Sequence, residues 1–123
     1  INNAIYGMTG GQMAPTTLVG QKTATTPAGR QSQTCGFPLK ISELLAQLPG
    51  VFSVERRSLQ SPAEIVKAKQ SIKCAFLNQI EGKGFSLVEL LSPCPTYWSK
   101  SPIESMEWIQ QVMSQEFPIG KIK

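Results

Sequence analysis

A chain of 123 residues, 41% apolar and 16% charged, has room for one domain with a real core and is not composed like a disordered segment. It holds no His, and all eight of its acids are Glu, which excludes Ser-His-Asp and Cys-His nucleophile systems, His-ligated zinc, EF-hand loops and an aspartic dyad built from these residues. Its net charge of +4 is scattered, with no block of like charge, so Arg56-Arg57 and the lysines read as solvated surface and no nucleic-acid partner is expected.

In chain order, residues 1–36 carry most of the glycines, seven threonines and almost no charge, which is a loop signature. Ile1 reads as the end of a strand, and Arg30 as a solvated loop residue. Residues 7–36 hold too little apolar surface to offset an ordering cost of roughly 1–2 kcal/mol per residue, so this stretch is expected to depend on a ligand or a partner for its order. Ile41, Leu44, Leu45 and Leu48 recur at helical spacing until Pro49-Gly50 stops them. A strand runs from Val51 to about Leu59. Ser61-Pro62-Ala63-Glu64 supplies an N-cap, a proline at the first helical position and an acid in the first turn. The apolar face of that helix is read as Ile65, Ala68, Ile72, Ala75, Phe76 and Ile80, with Cys74 in the core. The run from Gly84 to Leu91 reads as a strand covered on both faces, and Ser101-Pro102-Ile103-Glu104 starts a further helix with Trp108 as a packing residue. Strand and helix alternate, which predicts an α/β fold with mostly parallel pairing.

Ligands of open parallel sheets bind beyond the carboxyl ends of the strands. Two loops leave such ends, residues 2–36 and Ser92–Lys100. In the first, Asn2-Asn3-Ala4-Ile5-Tyr6-Gly7-Met8-Thr9-Gly10-Gly11-Gln12 joins carboxamides to a glycine-rich turn with a hydroxyl. Carboxamide and main-chain oxygens are hard donors suited to Mg²⁺, and glycines let N–H groups approach an anion. Composition alone leaves this as either a plain turn or a diphosphate site, and it matches neither GxxxxGK[ST] nor GxGxxG. In the second loop, Pro93-Cys94-Pro95 flanks a cysteine with stiff backbone. Such a thiol is either a small buried hydrophobe or a sulfur aimed at a ligand.

The order of residues 2–12, followed by Ala14-Pro15-Thr16-Thr17, Gly20-Gln21-Lys22-Thr23-Ala24-Thr25-Thr26-Pro27 and Gly29-Arg30, resembles the β subunit of thiamine-diphosphate-dependent 2-oxoacid:ferredoxin oxidoreductases. The likeness recurs at Gly82-Lys83-Gly84-Phe85-Ser86-Leu87-Val88-Glu89 and Ser92-Pro93-Cys94-Pro95-Thr96, and it points to the 2-oxoisovalerate or 2-oxoglutarate type.

The resemblance implies one partial thiamine-diphosphate-binding domain over residues 1–123, with a cofactor-binding strand end and long loop at 1–36 and an α/β portion at 37–123. It implies that the Asn3 side chain and the Ile5 carbonyl bind Mg²⁺, and that Met8, Thr9 and Gly10 surround the diphosphate. Cys94 would be the fourth ligand of a [4Fe–4S] cluster whose other three cysteines lie elsewhere in the subunit. The family's Gly-Asp-Gly is not among these residues.

The implied activity is oxidative decarboxylation of a 2-oxoacid to acyl-CoA, with electrons passed to ferredoxin. The implied partners are an α subunit and further γ or δ subunits, ferredoxin, coenzyme A and the 2-oxoacid, and this stretch alone is expected to be inactive. The alternatives are a non-catalytic subunit-interaction piece and a generic diphosphate binder.

An odd number of cysteines (Cys35, Cys74 and Cys94) at wide spacing favours a reducing, cytoplasmic compartment over a disulfide framework. No membrane span and no leader peptide is expected.

Overall fold

The computed structural model describes residues 1–123. After an N-terminal loop segment come α1 (Ser32–Cys35), α2 (Ile41–Ala46), β1 (Val51–Ser58), α3 (Pro62–Ile80) and β2 (Phe85–Leu91). The chain closes with α4 (Pro95–Trp98), α5 (Pro102–Trp108), a π-helical turn (Ile109–Met113), α6 (Ser114–Glu116) and β3 (Gly120–Lys121).

The helix starts follow the cap chemistry. Ser61 Oγ accepts from the Glu64 N–H at 3.3 Å. At α5, Ser101 Oγ accepts from Glu104 N at 3.3 Å while Glu104 Oε2 accepts from Ser101 N at 2.8 Å, a closed capping box.

The sheet has the order β2-β1-β3. Strands β1 and β2 are parallel, from Val51 opposite Phe85 to Ser58 opposite Leu91, with α3 as the connection between them. The α/β expectation holds. Strand β3 is a two-residue antiparallel addition, Lys121 opposite Glu55, too short to leave a sequence signal.

Two apolar clusters form the core. Leu91, Ile109, Met113 and Phe117, each with no exposed surface, pack with Ala4 and Leu18 from the loop segment. Each such large side chain stabilises by about 1.5–3 kcal/mol, so this cluster fastens the loop to the end of β2. The second joins Ala46, Val51 and Val54.

Five expectations are corrected. The face of α3 that meets the sheet is made by the buried Ala68 and Ser71, whereas Ile65, Ile72, Phe76 and Ile80 are exposed. Small residues there allow close approach, and the Ser71 hydroxyl is drawn in because it donates to Glu55 Oε2 at 2.7 Å. Cys74 is exposed, not core. Strand β2 is not covered on both faces: Phe85 is half-open and only Glu89 and Leu91, near its far end, are buried.

Arg56 is fully buried, since Val54, Arg56 and Ser58 share the inward face of β1. Arg30 is buried too. Its guanidinium donates to the carbonyls of Ala14, Pro15, Thr17, Cys35, Gly36 and Phe37 at 2.7–3.4 Å. One side chain thus gathers the carbonyls of residues 14–37, alongside the buried Ala14 and Leu18.

Candidate functional site

The Asn-rich segment leaves the sheet where its order in the sequence puts it. Asn2 N–H donates to Leu90 O at 2.8 Å and Ser92 N–H donates to Asn2 O at 2.9 Å, so the turn begins at the carboxyl end of β2. The next residues are bent sharply. Ala4 sits at φ +53°, a left-handed conformation that costs a non-glycine residue about 1–2 kcal/mol. Side chains hold it there: Asn2 Oδ1 accepts from Ala4 N at 3.0 Å, and Thr17 Oγ1 donates to Ala4 O at 2.7 Å.

Past the bend, Tyr6 and Gln12 pair in antiparallel fashion and close a small hairpin over Gly7–Gly11. Gly10 and Gly11, at φ +114° and +77°, make the turn possible.

The expected ligands divide into two groups. Asn3 is half-buried, its main-chain oxygen accepts from Trp98 Nε1 at 3.0 Å, and its carboxamide has no partner in the chain. Ile5 is buried at 3% exposure, and its carbonyl accepts from Gly7 N at 3.1 Å, which leaves one lone pair free. Together they offer two neutral hard oxygens to a cation.

Met8, Thr9 and Gly10 lie at the exposed tip, with the Met8 side chain wholly in solvent. Thr9 Oγ1 donates to Gln12 Oε1 at 2.8 Å, and Gln12 Nε2 donates to Thr9 O at 2.6 Å. The N–H groups of Met8, Thr9 and Gly10 donate to no acceptor of the chain. Free N–H groups suit an anion such as a diphosphate, and hard oxygens suit Mg²⁺.

The second loop packs under the first. A Cβ placed on Gly7 would lie 2.9 Å from Cys94 Sγ and 3.8 Å from Asn3 Nδ2, and one on Gly11 would lie 2.4 Å from the Tyr97 ring. Glycine at 7 therefore admits the Cys94 sulfur against the turn, next to the Asn3 carboxamide. Nowhere in the chain do three or more His, Cys, Asp or Glu side chains converge as metal ligands. Cys94 has no companion thiols here, so a four-thiolate cluster does not fit these residues alone.

Sequence reasoning missed what lies behind Asn2. Its Nδ2 donates to Glu89 Oε1 at 2.7 Å. Glu89, buried at 6% exposure, also accepts from the Ser42 hydroxyl, and from Arg56 Nε at 2.8 Å. Arg56 in turn grips Glu43 through both terminal nitrogens, at 2.8 and 2.6 Å. Its guanidinium pKa is raised: burial opposes the charge, but the hydrogen bonds it donates to Glu43 and Glu89 outweigh it. The bond from Arg56 holds the Glu43 carboxyl below its ordinary value. A charged residue in the middle of an otherwise apolar strand, Glu89, was the available signal.

The chain is similar to subunits of named oxidoreductases. It is 46% identical over 123 residues to the ketoisovalerate oxidoreductase subunit VorA of Methanothermobacter marburgensis, covering 100% of the chain and 26% of that relative. The chain fits a fragment of a subunit of the 2-oxoacid:ferredoxin oxidoreductase kind. The 2-oxoglutarate synthase subunit KorB of Methanocaldococcus jannaschii is 35% identical over 116 residues, 90% of the chain and 38% of that subunit. The 2-oxoacid:ferredoxin oxidoreductase subunit beta of Saccharolobus solfataricus is 31% identical over 97 residues, 78% of the chain and 28% of that subunit. The chain thus spans about a quarter of the first relative's length. No family model and no solved structure matches it. No helix is long and apolar enough to cross a membrane.

Proposed function

We propose that this chain supplies part of a magnesium–thiamine diphosphate site in a 2-oxoacid:ferredoxin oxidoreductase. The enzyme would oxidise and decarboxylate a 2-oxoacid to its acyl-CoA and pass the electrons to ferredoxin. The observation that carries the reading is that Asn3, with a free carboxamide, and Ile5 line one cavity beside β2, while the N–H groups of Met8, Thr9 and Gly10 in the adjoining hairpin are free. Thiamine diphosphate, when bound, supplies the carbanion chemistry that cleaves the bond to the carboxylate.

The work of this chain is to hold and orient. Asn3 and Ile5 give two oxygens to the metal, the glycine turn gives N–H donors to the diphosphate, and Trp98 fixes the Asn3 main chain. Two neutral oxygens are an incomplete shell for an octahedral cation, so the remaining ligands come from the diphosphate, water and residues outside this segment.

Cys94, against the same turn, would complete a [4Fe–4S] cluster close to the cofactor. Partner α and further subunits would close the site over the exposed Met8. A branched-chain 2-oxoacid or 2-oxoglutarate fits the names of the relatives.

The test is Asn3→Leu in the full-length subunit assembled with its partners. Cofactor should be lost on gel filtration while the fold and subunit assembly persist. Retained cofactor with normal turnover would remove Asn3 from the metal shell and the reading with it.

A further inference from the structure

We infer that Glu89 is a positioning residue for the metal-binding turn and sets its affinity for the cation without touching it. This rests on the reading of Asn3 and Ile5 as metal ligands and adds a determinant outside the ligand set.

The geometry runs in one line. Arg56 Nε and the Ser42 hydroxyl, both from fully buried residues, fix Glu89 Oε2. That leaves Glu89 Oε1 to accept from Asn2 Nδ2 at 2.7 Å. A carboxylate has no proton to donate, so it admits only the amide nitrogen of Asn2 on its side. The amide oxygen is therefore forced to the other side, where it accepts from Ala4 N at 3.0 Å. Were the carboxamide reversed, its NH₂ would face the Ala4 N–H and its oxygen would face the carboxylate, both repulsive.

Glu89 thus selects the one Asn2 orientation that supports the left-handed Ala4, at φ +53°. Asn3 and Ile5 flank Ala4 in the chain, so the bend at residue 4 sets the separation of the two oxygens offered to the metal. Groups that orient metal ligands in this way usually change affinity by about 10–100-fold when altered.

Glu89→Gln tests this because it keeps the side-chain shape. The new NH₂ must face either Asn2 Nδ2 or the Ser42 and Arg56 donors, and donor meets donor in both cases. The measurement is a Mg²⁺ titration of thiamine diphosphate binding, read by circular dichroism of the full-length, assembled enzyme. Glu89→Gln should raise the half-saturating Mg²⁺ about 10–100-fold, with binding restored at saturating metal. Glu43→Gln, which cuts the other side of Arg56 and leaves Asn2 alone, should leave the Mg²⁺ requirement unchanged.

An unchanged requirement in Glu89→Gln, or an equal rise in both variants, overturns the inference. If Glu89→Gln does not fold, Ser42→Ala removes one of the donors that hold Glu89. It should raise the requirement several-fold, and no rise overturns the inference. Asn3→Leu separates the two levels of the argument. If it abolishes Mg²⁺-dependent binding while Glu89→Gln matches wild type, only the positioning role falls. If the wild-type enzyme binds no thiamine diphosphate with Mg²⁺, the functional reading and this inference fall together.

Discussion

Two arginines are buried in this chain, and the regions they organise are built by different means. Arg30 sits within the loop segment and is met by six main-chain carbonyls and no carboxylate. Arg56 sits in the sheet, where it is met chiefly by the carboxylates of Glu43 and Glu89 and by one carbonyl, that of Pro118 at 3.1 Å, and where it lies 5.4 Å from the centre of the Phe117 ring. In the loop, a cation is solvated by backbone dipoles, so the protein gathers carbonyls that turns would otherwise leave unpaired. In the sheet, two strands and a helix already define the shape, and the ion network instead links that frame to Asn2. A glycine- and threonine-rich stretch can thus be ordered by polar groups converging on one charge.

The largest effect is expected where an unpaired charge would be trapped. Arg56→Met strips Glu89 of its counter-ion in the interior and should cost about 3–5 kcal/mol in denaturation of the intact subunit. A smaller loss would show that Glu89 finds another partner.

Arg30→Met should cost less, about 2–4 kcal/mol, because the orphaned carbonyls lie in a loop that can turn them to water. Its effect should also be local. Hydrogen exchange should quicken across residues 14–37 while residues 62–91 keep their protection. Loss of protection in both stretches would erase the distinction between the two regions.

Much of this was legible in the sequence. The alternation of strand and helix, the caps at Ser61 and Ser101, and the exit of the Asn-rich turn at a strand end all follow from local chemistry. The two buried arginines did not, for a common reason. An arginine's environment is decided by residues far away in sequence, here 33 positions for Arg56 with Glu89 and up to 16 for Arg30. The α3 face was misread because helical spacing shows which residues share a side, not which side the sheet meets. Asn3 was placed by resemblance, and Asn2 acquired its role only when Glu89 was found behind it.

A smaller effect comes from Glu43. Its carboxyl is held low by the Arg56 bond, so its contribution is present above the ordinary value of 4.5 and lost as pH falls below it. At 37% side-chain exposure the pair is screened, and Glu43→Gln should cost about 1 kcal/mol or less at neutral pH. The variant should be less sensitive than wild type to acid below pH 4.5. An identical acid profile would mean that the Arg56–Glu43 bond adds nothing in solution.

The smallest effect is assigned to Cys74, exposed on α3. Cys74→Ser should stay within about 0.5 kcal/mol of wild type, and a larger loss would place that thiol in a contact with another part of the assembly.

The most direct test of the central claim is the structure of the assembled enzyme with thiamine diphosphate and Mg²⁺ bound. Asn3 Oδ1 and the Ile5 carbonyl are expected in the metal shell at about 2.0–2.1 Å, with the Met8–Gly10 N–H groups toward the diphosphate. A metal coordinated without Asn3 and Ile5, or a cofactor seated away from the carboxyl end of β2, would contradict it.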